Sequence, residues 1–224
     1  MEVAPHTIAV WSDIGCPWAH VAVHRLHTAR ARLGLDGVIS FVHHPFPLEL
    51  INERPTPKNV LDAEIPVAGG IEPGAGWQTW QAPQWHWPAT ILPALEAVQA
   101  AYEQRPVAGE QLDRALRVAF FRESRCIALR SVILDVASRC DTVDVVELTA
   151  ALDDGRARAG VLRSYETATG DEVQGSPHLF LPDGASAHNP GMELRWEGKP
   201  GTGFPIVTSN DPSVYDDLLH RAAT

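Results

Sequence analysis

The stretch Thr7-Ile8-Ala9-Val10-Trp11-Ser12-Asp13-Ile14-Gly15-Cys16-Pro17-Trp18-Ala19-His20 decides how this chain is read. Thr7 to Trp11 is short, apolar and β-prone, the pattern of a buried strand. Ser12 to Gly15 reads as a loop. Cys16-Pro17 then opens a helix, because proline in the first turn gives up an N–H that would have no intrahelical partner. Trp18, Ala22, Leu26, Ala29 and Leu33 recur at helical spacing and form one apolar face, and Gly34 supplies the stop. A thiol just ahead of a helix meets unpaired backbone N–H groups and the positive end of the macrodipole, so Cys16 is expected to have a lowered pKa and to act as a nucleophile. A lone cysteine before a helix is otherwise most often a small buried residue.

Outward from this segment, Val38 to Val42 is the next expected strand, and His43-His44-Pro45-Phe46-Pro47 leads out of it. Strand, helix, strand is the front half of an α/β unit. Pro55 to Pro88 is rich in glycine and proline and carries Trp77, Trp80, Trp85 and Trp87, so loops and short turns are expected there. Helices are expected over 89–104, 110–122, 131–139, 143–152 and 156–169. Strand character returns at His178-Leu179-Phe180-Leu181, and Phe204-Pro205-Ile206-Val207 is a second strand or an edge segment. A last helix capped by Asp211 or Ser213 runs to about Ala222. The first and last blocks are expected to make one small sheet. The division is 1–60 and 162–224 for the sheet-bearing part, with 61–161 as an α-helical insertion.

The bulk composition narrows the partners. The chain has 224 residues, a formal net charge of -10 and 45% hydrophobic residues, enough to bury a core. An acidic surface repels phosphate backbones, so no nucleic-acid partner is expected. No basic cluster suits an anionic membrane surface, and no run is long and apolar enough to span one. The N-terminus lacks a basic segment followed by an apolar one, and Cys16, Cys126 and Cys140 form no obvious disulfide framework, so a cytoplasmic location is expected.

Ser12-Asp13-Ile14-Gly15-Cys16-Pro17-Trp18-Ala19 resembles the active-site segment of the DsbA-like thioredoxin-fold family, in particular its cytoplasmic FrnE-like branch, where Cys-Pro-Trp-Cys commonly follows a β-strand. Val173-Gln174-Gly175-Ser176-Pro177-His178 is similar to that family's Gly-X-Pro loop, and Pro45-Phe46-Pro47-Leu48 is a weaker match. The resemblance covers nearly the whole chain. It implies an α/β thioredoxin-like fold with an α-helical insertion, Cys16 beside a cis Pro177, and a Ser176 backbone free to pair with an extended substrate or a thiol. It also implies a thiol-disulfide oxidoreductase with Cys16 as catalytic nucleophile and Pro17, Trp18, Ser176 and Pro177 around the bound thiol; Asp13 and His20 are further candidates from their positions beside Cys16.

Ala19 departs from the pattern: it stands where the family carries the cysteine that resolves the mixed disulfide. Three explanations stand. A small thiol such as glutathione or mycothiol resolves the intermediate in a monothiol cycle, with no tightly bound cofactor. Alanine has been introduced for a native cysteine. Or the scaffold serves non-redox chemistry, as a thiol-assisted isomerase or transferase acting on a small aromatic molecule, or it is a non-catalytic binding or chaperone-like protein. Hydroxychromene-carboxylate isomerases and kappa-class glutathione transferases share the architecture with a single Ser or Cys. The expected partners are therefore a small thiol or disulfide, a small aromatic molecule, a protein thiol, or a second copy of the chain in a homodimer.

The other candidates carry two readings each. Asp13 acts on Cys16 through a water or simply ends the strand. His20 stabilises a thiolate when protonated, or is a solvated helix histidine. His24 and His27 read as a solvated face, with no third ligand at metal spacing, and no metal site is expected. His43 and His44 point to opposite faces of a strand. The tryptophan cluster either walls a substrate site over Cys16 or packs the insertion onto the sheet. Cys126 and Cys140 sit on or beside apolar helices, where a buried structural role is the common case and resolution of Cys16 the rarer one.

Overall fold

A computed structural model describes residues 1–224. Strand β1 (Thr7–Ser12) is central: it pairs in parallel with β2 (Ser40–Pro45), Thr7 opposite Ser40, and antiparallel with β3 (His178–Phe180), Val10 opposite Leu179. Strand β4 (Ser186–His188) extends the sheet to the order β2-β1-β3-β4. Packed layers cover both faces of this central strand, which is why the run is continuously apolar. Ile8 and Val10 face the core that α1 (Pro17–Arg32) and α9 (Val214–Ala222) cover, with Leu26, Tyr215 and Leu219. Ala9 and Trp11 face the opposite layer, with Phe46, Val173 and Phe180.

After β2 comes a short helix, α2 (Leu48–Ile51), and then α3 (Lys58–Ile71). The expectation of loops from Pro55 to Pro88 is corrected by α3. Its buried residues Leu61, Glu64, Ile65 and Ala68 recur at helical spacing, and Lys58 pairs with Asp62 at 2.7 Å one turn on. Pro66, Gly69 and Gly70 hide that pattern, yet tertiary burial of one face outweighs their unfavourable propensity. The residues beyond it, to Pro88, do form loops and two short 3₁₀ turns.

The expected helices are found as α4 (Leu92–Gln104), α5 (Pro106–Phe121), α6 (Arg130–Ala137), α7 (Val145–Asp154) and α8 (Arg156–Ala168). They share one core around Leu95, Leu112, Leu116, Phe121, Ile133 and Leu148, to which Leu61 and Ile65 of α3 also contribute. α4 and α5 approach closely at Gly109, where a Cβ would lie 2.3 Å from the Tyr102 ring. α5 and α8 lie against β2 and tie these helices to the sheet.

Two further differences concern strands. β2 runs to Pro45 rather than stopping at Val42, because His43 and His44 pair with Val10 and Trp11. The last block does not all join one sheet. β5 (Met192–Glu197) and β6 (Phe204–Asn210) form a separate antiparallel hairpin, packed against α3. Its residues Met192, Leu194 and Val207 meet Cys16, Trp18 and Ala68, so the hairpin covers the N-terminal end of α1. Asn59 Nδ2 donates to Gly201 O at 2.8 Å and pins the tip to α3. No helix is long and apolar enough to cross a membrane.

Candidate functional site

The loop between β1 and α1 is held from below and from the side. Arg117 of α5 is wholly buried; its Nη1 donates to Asp13 O at 2.9 Å and its Nη2 to Ser12 Oγ at 2.8 Å. Asp113, one turn away on α5, takes Arg117 Nε at 2.8 Å, and the guanidinium holds that carboxyl below its usual range. Asp13 is itself buried. Its Oδ1 accepts the Gly15 N–H at 2.7 Å and its Oδ2 the Leu48 N–H at 3.0 Å, while its own N–H donates to Ser176 Oγ at 2.9 Å. Burial pushes the Asp13 carboxyl up to about 6, against those amide donors and Arg117. Both of its oxygens are engaged, so Asp13 joins three loops together rather than acting on the thiol through a water.

Cys16 is the residue before the first turn of α1, and its carbonyl accepts the His20 N–H at 3.0 Å. Its Sγ lies 3.3 Å from Ser176 O, to which the thiol donates, and the Ser176–Pro177 peptide is cis. The structure thus brings together Cys16, Pro17, Trp18, Ser176 and Pro177. The expected lowering of the thiol pKa is corrected: burial, and next the charge of Glu64, push Cys16 up to about 12. The Ala19 amide at the helix start and Ser176 pull the other way but do not outweigh the loss of water around a thiol only 5% exposed.

Glu64, on α3, is the site residue that the reading of Pro55 to Pro88 as loops missed. It lines the same cleft as Cys16 and takes the Trp18 Nε1–H at 3.0 Å. Burial pushes its carboxyl up to about 7, against that hydrogen bond. The signal that would have found it is the helical spacing of Leu61, Glu64, Ile65 and Ala68. The cleft encloses about 350 Å³ and is walled by Trp18, Leu48, Val60, Leu61 and several prolines, including Pro200 from the hairpin. Arg54 is its one cationic side chain and Glu64 its one acidic one. Polar groups few in number on an apolar wall are what a small-molecule site requires.

His20 is not at this cleft. It is buried, its ring N–H reaches Ala75 O at 3.1 Å, and it stacks on Phe121 at 4.8 Å. Burial, then the charge of Arg117, push it down to about 3, so it is neutral and cannot stabilise a thiolate. Ala19 is fully buried one turn after Cys16. His27 is buried against Phe41 rather than solvated, whereas His24 is half-buried near Glu72. His43 faces Asp113 and His44 stacks on Trp11, on opposite faces of β2. Trp77 packs on His20 and Phe121, and Trp80 and Trp87 pack on each other and on Phe120; Trp85 is exposed. None of these four lines the cleft at Cys16, so packing, not a substrate wall, accounts for the first three. All three cysteines are free. Neither Cys126 nor Cys140 lines the cleft at Cys16; Cys140 borders a different cavity, with His27.

Comparison with known proteins agrees with this architecture. No curated protein matches the chain. Among solved structures, the cytosolic disulfide reductase DsbM from Pseudomonas aeruginosa superposes with a TM-score of 0.63 at 15% identity, covering 96% of this chain and 97% of that one. The same reductase with GSH gives 0.60 at 14% identity, covering 97% and 95%. A probable DsbA oxidoreductase from Streptomyces coelicolor gives 0.64 at 20% identity, covering 96% and 89%. At these identities the likeness shows the fold. Residues 7–195, most of the chain, match the DSBA-like thioredoxin domain, and the protein belongs to that family of thiol oxidoreductases.

Proposed function

We propose that the protein is a monothiol oxidoreductase in which Cys16 exchanges disulfides with a small anionic thiol. The observation that carries this reading is the placement of Cys16 Sγ 3.3 Å from Ser176 O, beside the cis Ser176–Pro177 peptide and opening onto a cleft with one cation, Arg54. The Cys16 thiolate attacks one sulfur of a disulfide, RS–SR. A Cys16–SR bond forms and RS⁻ leaves. A second thiolate, R′S⁻, then attacks the sulfur of R, releases RS–SR′ and restores the Cys16 thiolate. Ala19 offers no sulfur, so the resolving thiol comes from another molecule.

Glu64 and Cys16 share the cleft, and two negative charges there repel. The pair therefore holds a single negative charge most readily; with Glu64 at about 7 and Cys16 at about 12 that charge rests on Glu64, and protonation of Glu64 eases the ionisation of Cys16. Arg54 offers a carboxylate of the small thiol its counter-ion. Glutathione fits these terms, given the structural neighbour with GSH, and mycothiol is the other candidate. The Cys16-Pro17-Trp18 order supports the FrnE-like branch, and three unpaired cysteines support a cytoplasmic setting. The sheet-bearing part comprises 1–60 and 162–224 and the helical insertion 61–161 in this reading.

A thiol-assisted isomerase or transferase of small aromatic molecules is the second reading. It is favoured by the single sulfur and by the burial that keeps Cys16 protonated. Intact mass after exposure to oxidised glutathione and oxidised mycothiol separates the two, run on this chain, Cys16→Ser and Ala19→Cys. An adduct on Cys16, absent in Cys16→Ser and released by the matching thiol, supports monothiol exchange. An internal disulfide in Ala19→Cys shows that the first turn of α1 still holds dithiol geometry. Absence of any adduct on Cys16 overturns the redox reading.

A further inference from the structure

A cavity of about 480 Å³, larger than the cleft at Cys16, lies at the opposite end of α1, where His27 and Arg30 face α5 and α6. Its lining carries four arginines, Arg30, Arg114, Arg125 and Arg139, against two carboxylates, Glu110 and Glu123. Asp36 takes Arg30 Nε at 3.2 Å from beyond the lining, so what distinguishes the cavity is which arginine is left without a partner. Of the two carboxylates Glu110 is already engaged, and Glu123 lies 3.7 Å from Arg125 Nη1. Glu110 accepts the Phe41 N–H and Arg30 Nη2, each at 2.8 Å. Arg125 and Arg139 converge on one carboxylate oxygen of Asp135, at 2.6 and 2.8 Å. Arg114 has no hydrogen bond or ion pair, so a full fork of guanidinium donors is free at the cavity.

His27 supplies a second, independent sign. It is 8% exposed, and Arg30 Nη2 donates to its Nδ1 at 3.2 Å, which places the ring proton on Nε2. That buried Nε2–H has no acceptor in the protein. Buried donors without partners are rare, and such a group is open to a water, an ion or a ligand. The remaining lining is mostly apolar, with Ala115 and Val118 of α5 and Val136 of α6, beside the polar Gln111 and Thr142.

From this arrangement we infer a second ligand site, for a small amphipathic carboxylate whose apolar body lies on Val118 and Val136 and whose carboxylate takes the Arg114 fork. The cavity is of ligand size, and the chain's net charge of -10 disfavours a nucleic acid or an acidic protein. The site is independent of thiol chemistry, because it lies about 16 Å along α1 from Cys16.

Titration calorimetry with 4-phenylbutyrate and its neutral isostere 4-phenylbutyramide tests the inference on the full chain. The expected result is saturable phenylbutyrate binding. It should be weakened at least about tenfold by the amide, by Arg114→Glu and by Ala115→Trp, and left unchanged by Arg54→Glu in the Cys16 cleft. Should Arg114→Glu fail to fold, Arg114→Gln and Ala115→Trp give the same discrimination. The inference is overturned by no saturable binding up to about 1 mM, by equal binding of the amide, by binding that survives the cavity variants, or by binding lost in Arg54→Glu.

Discussion

Replacing Glu64 by glutamine removes the one acidic charge from the cleft at Cys16 while keeping an oxygen to accept the Trp18 Nε1–H. Cys16 stands at about 12 against an ordinary 9.0, and the Glu64 charge is the largest contributor after burial. Like charges sharing one such cleft, taken to be on the order of 8 Å apart, repel by about 2 kcal/mol at an effective dielectric of about 20, which is about 1.5 pKa units. Glu64 itself is pushed up to about 7, so at about pH 8.5 it is mostly ionised and the repulsion is in force. A thiol lowered by about 1.5 units has about 30 times more thiolate, each ion being about 5 times less nucleophilic, for a net gain of about 6-fold. The assay is the rate of iodoacetamide labelling at Cys16, followed by peptide mass at about pH 8.5, with Cys126 on the same chain as the internal reference. An unchanged or slower rate at Cys16 in Glu64→Gln would refute the argument that this carboxylate controls the thiol.

Arg117→Met should destabilise the fold by about 3–5 kcal/mol in denaturant melts, because it leaves Asp113 buried without its counter-ion and Asp13 O without its donor; a loss below about 1 kcal/mol would contradict the role given to Arg117. His20 is pushed from 6.5 to about 3, so its contribution is present above pH 6.5 and is lost as pH falls below it, about 2 kcal/mol by pH 5. Glu64 and Asp13, pushed up to about 7 and about 6, act oppositely, gaining stability as pH falls through those values. His20→Phe should therefore be about 2 kcal/mol more stable at pH 5 relative to pH 7 than the parent chain; parallel pH profiles would count against a neutral, buried His20. Arg54→Ala should raise the oxidised glutathione concentration needed for half-maximal labelling of Cys16 by about 5–20-fold, with little effect on an uncharged disulfide reagent; equal effects on both would remove Arg54 from thiol recognition. Gly109→Ala should cost about 1–3 kcal/mol, since the added methyl would meet the Tyr102 ring whose hydroxyl bonds Phe41 O at 2.8 Å.

What was legible in the sequence was local. The apolar run Ile8 to Trp11, the Cys16-Pro17 helix start, the helical periods from 89 to 169 and the Gly175-Ser176-Pro177 loop each announce their own structure within a few residues. In β5, Met192, Leu194 and Trp196 alternate with Glu193, Arg195 and Glu197, an equally local signal that the glycines and prolines around it obscured. The separation of that hairpin from the main sheet has no such signature, because partner choice between strands is set by what each face can bury.

The ionisation of the site belongs to the tertiary structure alone. Read from sequence, Cys16 at a helix start is an acidic thiol and His20 a protonatable neighbour. Folding surrounds both with apolar groups and drives them to their neutral forms, since water is lost from each before any helix amide can make up the difference. It also brings Glu64 from α3 and Arg54 from the loop before it to a cysteine some forty residues earlier in the chain. Residue order determined the nucleophile and the element that presents it; long-range packing decided its charge, its neighbours and the cleft it faces, because desolvation and Coulomb forces depend on distance in space and not along the chain.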